Sequence, residues 1–268
     1  MMAVFASLRE WLRSPHDRPL LLGPSLSEIY HDDLSVALRR AADAIVDLQR
    51  GVVEAGADLV VAPTAGTTAP ALHATGQAYR AAALTAAAVD LTRDGALAAR
   101  RPASVLGEVP ARSGSRAKIE ARTHVERLAT SAVDGLLVLV DDTGAAQDIL
   151  DAAASHRLPT LVEVDHALAP EIAQASASVI IVRGSDPELV AAAIGALRVR
   201  FPSTPLGARL LAPDRDPQLA VAHAWAIFAE LSLAIIGIGG AKALDALPAL
   251  ADLSRAPRAS IPGASIPG

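Results

Sequence analysis

The sequence predicts an α/β fold: a single (β/α)8 TIM barrel with a short N-terminal helix. Three observations predict it. Short apolar runs alternate with segments of helical period along the chain, the pattern of a parallel sheet joined by crossover helices. Eight such strand–helix units fit into 268 residues, and a closed barrel takes about 250. The stretch 234–247 (AIIGIGGAKALDAL) is an apolar run, a glycine cluster and then an amphipathic pattern, which reads as a buried strand turning tightly into a helix. A doubly wound open sheet is the alternative reading of the same alternation. No composition shift divides residues 1–255, so they read as one barrel domain. Residues 256–268, rich in Pro, Ser and Gly, read as a flexible tail.

The elements follow in order. Phe5, Leu8, Trp11 and Leu12 recur at helical spacing in residues 1–14, which predicts a short helix closing one end of the domain. A transit peptide is the other reading of that stretch, and Glu10 speaks against it. RPLLLG at 18–23 is the first strand. Residues 33–55 form a helix with Leu38, Ala41, Ile45, Leu48 and Val52 on one face, ended by Gly56. Further strands are predicted at 58–62, 103–107, 135–140, 160–164, 178–182, 206–211 and 234–238. Helices are predicted at 76–100, 115–131, 145–156, 170–175, 187–199, 217–231 and 241–253, the last broken or kinked at Pro248.

Composition excludes several classes. Hydrophobic residues make up 51% and aromatics 3%, which suits alanine-rich helices on a buried sheet rather than a disordered chain. The net charge of −5 argues against tracking a nucleic-acid backbone. No apolar run is long enough to span a membrane, and without a secretory signal the expected location is cytoplasmic. The chain has no cysteine, which removes disulfides, thiolate zinc sites and cysteine nucleophiles.

In a barrel of this kind function lies just after the strands, at the C-terminal mouth. That rule nominates Ser25, Ser27 and Glu28 after the first strand, Thr64, Thr67 and Thr68 after the second, and Glu108 after the third. Asp141 and Asp142 follow the fourth, Glu163, Asp165 and His166 the fifth, and Arg183, Ser185 and Asp186 the sixth. Asp214 and Arg215 follow the seventh strand and Lys242 the eighth. Asp141, Asp142, Asp186 and Asp216 also read as helix caps, the last two standing before proline. Glu163 sits inside an apolar strand, so it points into the mouth or is paired. With Glu108 and Asp165 it offers a carboxylate set for a hard cation. Lys242 is one of two lysines in the chain; it reads as a solvated first-turn residue, with a Schiff-base role as the sharper alternative. Gly237, Gly239 and Gly240 read either as a phosphate-cradling turn or as room for close packing.

Taken together these segments resemble the homocysteine S-methyltransferase family, zinc-dependent (β/α)8 barrels. SLREWLRS with RPLLLG is similar to the family's opening helix and first strand. VVEAGADLVVAPTAGTTAPAL is similar to the segment ending in Thr-Asn-Thr, and VERLATSAVDGLLVLV to the fourth unit. IIVRGSDPELV resembles the segment carrying the first zinc cysteine, and AIIGIGGAKALDAL the one carrying the adjacent pair. Glu28 matches the opening motif and Thr64 remains from Thr-Asn-Thr. Elsewhere the chain departs from the family. The three zinc cysteines correspond to Gly184, Gly239 and Gly240, and the asparagine before the first of them to Arg183. The asparagine of Thr-Asn-Thr corresponds to Pro63, the acid ending the first strand to Leu22, and the glutamate ending the fourth to Leu139 or, with a gap, Asp141.

The resemblance therefore implies a degenerate barrel with no zinc and no other cofactor. Its expected role is a non-catalytic binding, regulatory or structural subunit. A protein partner (a methyl-transfer enzyme among them), a homo-oligomer or a small anionic ligand at the mouth would serve that role. The alternatives are an enzyme with changed chemistry built on Glu108, Glu163, Asp165, Arg183 and Lys242, and a zinc-independent methyltransferase.

Overall fold

The computed structural model describes residues 8–12, 18–29, 34–172 and 176–256. Eight parallel strands close into a barrel in chain order: β1 (Leu20–Ser25), β2 (Leu59–Ala62), β3 (Ser104–Ala111), β4 (Gly135–Val140), β5 (Thr160–Asp165), β6 (Val179–Gly184), β7 (Leu206–Leu211) and β8 (Ile235–Gly239). Closure runs through β1 and β8, with Leu20, Leu21 and Leu22 in register with Ile235, Ile236 and Gly237. All eight predicted strands are present, within a few residues of their expected ends.

The strands read as unbroken apolar runs because both of their faces are covered. One alternate set, including Leu22, Val61, Leu106, Leu137, Leu161, Ile181 and Ile235, fills the barrel interior. The other, including Val60, Val105, Val138, Val162 and Ile180, belongs to the layer packed under the helices. The short helix α1 (Leu8–Trp11) buries Leu8 and Trp11 in the interior cluster. A Cβ built on Gly135, the first residue of β4, would meet Leu8 Cδ2 at 3.0 Å, which places α1 as a plug at the N-terminal end. The same rim is tied by side chains that precede the even strands: Asp58 accepts from Leu21 N, Asp134 from Val105 N and Ser178 from Thr160 N. Each satisfies a backbone donor of the preceding odd strand where the ladder starts.

Several helices differ from expectation. Helices α2 (Leu26–Ile29), α3 (Leu34–Arg40) and α4 (Ala42–Glu54) follow β1. The single helix expected over 33–55 is interrupted at Ala41, whose φ −128° and ψ 32° are not helical. The break lets α3 turn onto the 3₁₀ turn Ala65–Thr67 and onto α6 (Ala81–Ala98), while α4 lies along α6. Neither glycine nor proline marks the site. The one-turn α5 (Ala69–His73), capped by Thr68, is an addition within a segment left unassigned from sequence. After β5 the expected helix 170–175 is a 3₁₀ turn, Ala169–Glu171, and residues 173–175 lie outside the described residues. Helices α7 (Ser115–Thr130), α8 (Thr143–Ser155), α9 (Pro187–Arg200), α10 (Pro217–Phe228) and α11 (Ala243–Arg255) complete the ring. Helix α11 continues through Pro248 instead of breaking there. The hydrogen bond lost at its missing N–H is offset by burial of Ala246, Leu247, Leu250 and Ala251. The expected tail lies almost wholly outside the described residues, and no described helix is long and apolar enough to cross a membrane.

Gly95 brings α4 and α6 together. A Cβ there would lie 2.6 Å from Gln49 Cβ and 2.7 Å from Val46 O. Gly95→Ala gains about 1 kcal/mol of helix propensity. It is nevertheless expected to lower stability by about 1–3 kcal/mol through overpacking, read as an earlier midpoint in urea unfolding.

Candidate functional site

The upper barrel interior is charged where the lower part is apolar. Glu163 projects inward from β5, and Arg209 inward from β7; both are 1% exposed. Arg209 Nη1 donates to Glu163 Oε2 at 2.7 Å, and Arg183 Nη1 on β6 approaches Oε1 at 3.5 Å. Register explains the meeting: Arg183 stands beside Arg209, with Asp165 on its other flank. Room for the Arg209 stem comes from β8, where a Cβ on Gly237 would lie 3.3 Å from Arg209 Cγ and 3.0 Å from Leu22 Cβ. Gly237 is therefore a packing glycine inside the strand. A buried carboxylate with guanidinium partners satisfies the rule that interior charge is paired.

Glu108 is the second buried carboxylate, 1% exposed on β3. Ser27 Oγ donates toward both of its oxygens at 3.4 Å, and Ser27 Oγ is 2.7 Å from Ser25 Oγ. The Glu108 carbonyl takes Thr64 Oγ1 at 2.9 Å and lies 3.1 Å from His124 Nε2 on α7. Thr64 and Thr67 thus fasten the loop after β2 to the barrel wall, Thr67 by donating to Thr64 O at 2.9 Å. Burial above all pushes His124 down to about 4, against the opposing pull of the Glu108 carbonyl, so the ring is neutral near pH 7.

The remaining nominated residues do not join this group. Asp141 is exposed and 4.0 Å from Arg112. Asp142 caps α8 through Gly144 N and Ala145 N, and Asp186 caps α9 through Glu188 N and Leu189 N. These caps hold Asp186 below the usual carboxylate range, its bond from Leu189 N contributing most. Asp216 does not cap: its backbone is left-handed, φ 49°, and its side chain makes no cap bond. Asp165 accepts from Ala167 N, with His166 Nδ1 3.2 Å away, so Glu108, Glu163 and Asp165 do not form the cation set. Among the described residues no three His, Asp or Glu side chains stand together as metal ligands. Lys242 is half-exposed, 3.8 Å from Asp245, the solvated first-turn position. Glu28 falls in α2, and its side chain lies outside the described residues.

Sequence reasoning missed Arg209. The signal was there: an arginine inside the run LGARLL breaks an apolar strand in the same way that Glu163 breaks TLVEV.

The three glycines that the resemblance sets at the zinc positions do not fit a thiolate centre. They supply no donor atom. A Cβ on Gly184 would meet Val190 Cγ2 at 2.8 Å and His166 Nδ1 at 2.9 Å, and Gly240 has φ +91°, which L side chains rarely adopt.

No family model and no curated protein matches the sequence. Solved structures do. The metallated homocysteine methyltransferase MmuM from Escherichia coli superposes with a TM-score of 0.73 at 17% identity, over 88% of this chain and 96% of that one. Its oxidized form gives 0.75 at 16% identity, over 90% and 98%. Mycobacterium tuberculosis tryptophan synthase gives 0.53 at 18% identity, over 90% and 94%. At these identities the likeness establishes architecture: the chain is a (β/α)8 barrel similar in fold to homocysteine methyltransferase MmuM.

Proposed function

We propose that this protein is a zinc-free barrel that holds a small carboxylate-bearing molecule at its mouth. On this reading it is a binding or regulatory subunit that does not methylate homocysteine. One observation carries the reading. Arg183 stands at the rim with its side chain 27% exposed, one long contact to Glu163 at 3.5 Å, and a buried Nε that has no partner among the described residues. Its neighbour Arg209 already neutralises Glu163 at 2.7 Å, so the guanidinium of Arg183 keeps donors for an incoming anion. A planar fork with spare donors suits a carboxylate. The glycines at 184, 239 and 240 support the zinc-free part, since zinc chemistry on a thiol needs ligands that these residues lack.

Calorimetric titration with a panel of small amino acids and keto acids tests it. At least one carboxylate is expected to bind, and Arg183→Ala to weaken it about ten-fold or more, as for the loss of a charge-assisted pair. No binding across the panel, or equal binding by the variant, would count against it. A second reading, an enzyme with changed chemistry, draws on the Ser25–Ser27–Glu108 array, in which an exposed hydroxyl faces a buried carboxylate. Methionine formed from homocysteine and S-methylmethionine faster than in the blank would favour catalysis and remove the subunit reading.

A further inference from the structure

At the opposite end of the barrel, two arginines hold a single carboxylate and a third stands close by. Asp58, just before β2, accepts both Nη atoms of Arg18 at 2.8 and 3.0 Å, Arg101 Nη2, and Leu21 N at 2.9 Å. Each of its oxygens takes two donors, which exhausts its lone-pair sites. Arg101 Nη1 is buried and has no partner among the described residues. Arg255, in the last turn of α11, reaches the same place. A Cβ on Gly56 would lie 2.4 Å from Ala251 Cβ, 3.1 Å from Arg255 Nη2 and 3.6 Å from Arg101 Nη1, so both guanidinium groups lie close to Gly56, where α11 packs on it through Ala251. The only acid paired with Arg255 among the described residues is Asp252, 85% exposed and 3.9 Å away. Burial first, then the charges of Arg255 and Arg18, hold Arg101 below its ordinary value despite Asp58. Beside Arg18 and Arg255 opens a cavity of about 260 Å³, walled also by Trp225, Phe228, Leu233 and Ile236.

We infer that Arg18 and Arg255, with Arg101 buried behind them, form an oxyanion site at the closed end of the barrel, taking a phosphate group in the cavity that Arg18 and Arg255 line. Three cations against one saturated carboxylate leave excess positive charge. Phosphate, with several acceptor oxygens and up to two charges, answers two guanidinium groups on one cavity better than a monoanionic carboxylate does. The apolar wall accommodates an organic substituent on that phosphate. The site lies on the face that barrels do not use for chemistry, so its occupancy stabilises or regulates the fold rather than reacting.

Titration of the full chain with inorganic phosphate and, separately, phenyl phosphate tests this. Binding is expected, with a melting temperature raised by roughly 5 °C at a hundred-fold excess over Kd. Arg255→Gln, which leaves the Asp58 network intact, is expected to weaken binding about ten-fold or more, while Arg183→Ala leaves it unchanged. Tighter binding of phenyl phosphate would identify a phosphomonoester, and equal binding the free ion. Absence of binding by either probe overturns the inference. So does binding that Arg255→Gln leaves unaltered, or that Arg183→Ala abolishes, the last assigning the anion to the mouth.

Discussion

Arg209→Met is expected to destabilise the barrel by about 3–5 kcal/mol, the usual cost of breaking a buried ion pair from one side. The loss follows from what remains. Glu163 is 1% exposed, and with Arg209 gone its partner among the described residues is Arg183 at 3.5 Å. Desolvation of the carboxylate is then no longer offset by the 2.7 Å contact. Methionine fills a similar volume, so the variant isolates charge from packing. Arg209→Met combined with Glu163→Leu should recover most of the loss, because an apolar interior needs no charge balance. Urea unfolding of wild type, single and double variants measures this. A double variant no more stable than the single one would show that the pair is not the source of the effect.

The second large effect is a pH dependence. His124 titrates near 4 in the folded chain because it is buried, and near its ordinary 6.5 when unfolded. The unfolded chain therefore takes up the proton first as pH falls. Stability is complete above about 6.5 and drops as pH falls toward about 4, by roughly 3 kcal/mol in all. Asp148, held low chiefly by its bond from Lys118, and Asp186, held low by its cap bonds, act only at still lower pH. His124→Gln, which can keep a bond to the Glu108 carbonyl, is expected to flatten the dependence within the His124 window. Stability measured at about pH 7, 5.5 and 4.5 in both proteins would show it, and an unchanged slope in the variant would refute the assignment.

Much of this was legible in the residues. Apolar runs of strand length, separated by helical periods, set the fold, because a parallel strand buried on both faces admits almost nothing polar. The same rule flagged Glu163 and, applied evenly, would have flagged Arg209. The Asp142 and Asp186 caps were legible as well, since a cap is a local hydrogen bond between residues close in sequence. Asp216 was misread because an Asp-Pro pair signals a cap only where the Asp backbone is extended, and here it is left-handed. The break at Ala41 also left no trace, since it answers to the packing of α3 and α6.

The sequence by itself therefore determined the barrel and the absence of any cysteine thiolate. Only the tertiary structure decided which charges meet. Whether Arg183 faces Glu163, or Arg255 comes beside Arg18, depends on strand register and on the return of α11 to the start of the barrel. Those distances join residues far apart in the chain, and nothing local in the sequence fixes them.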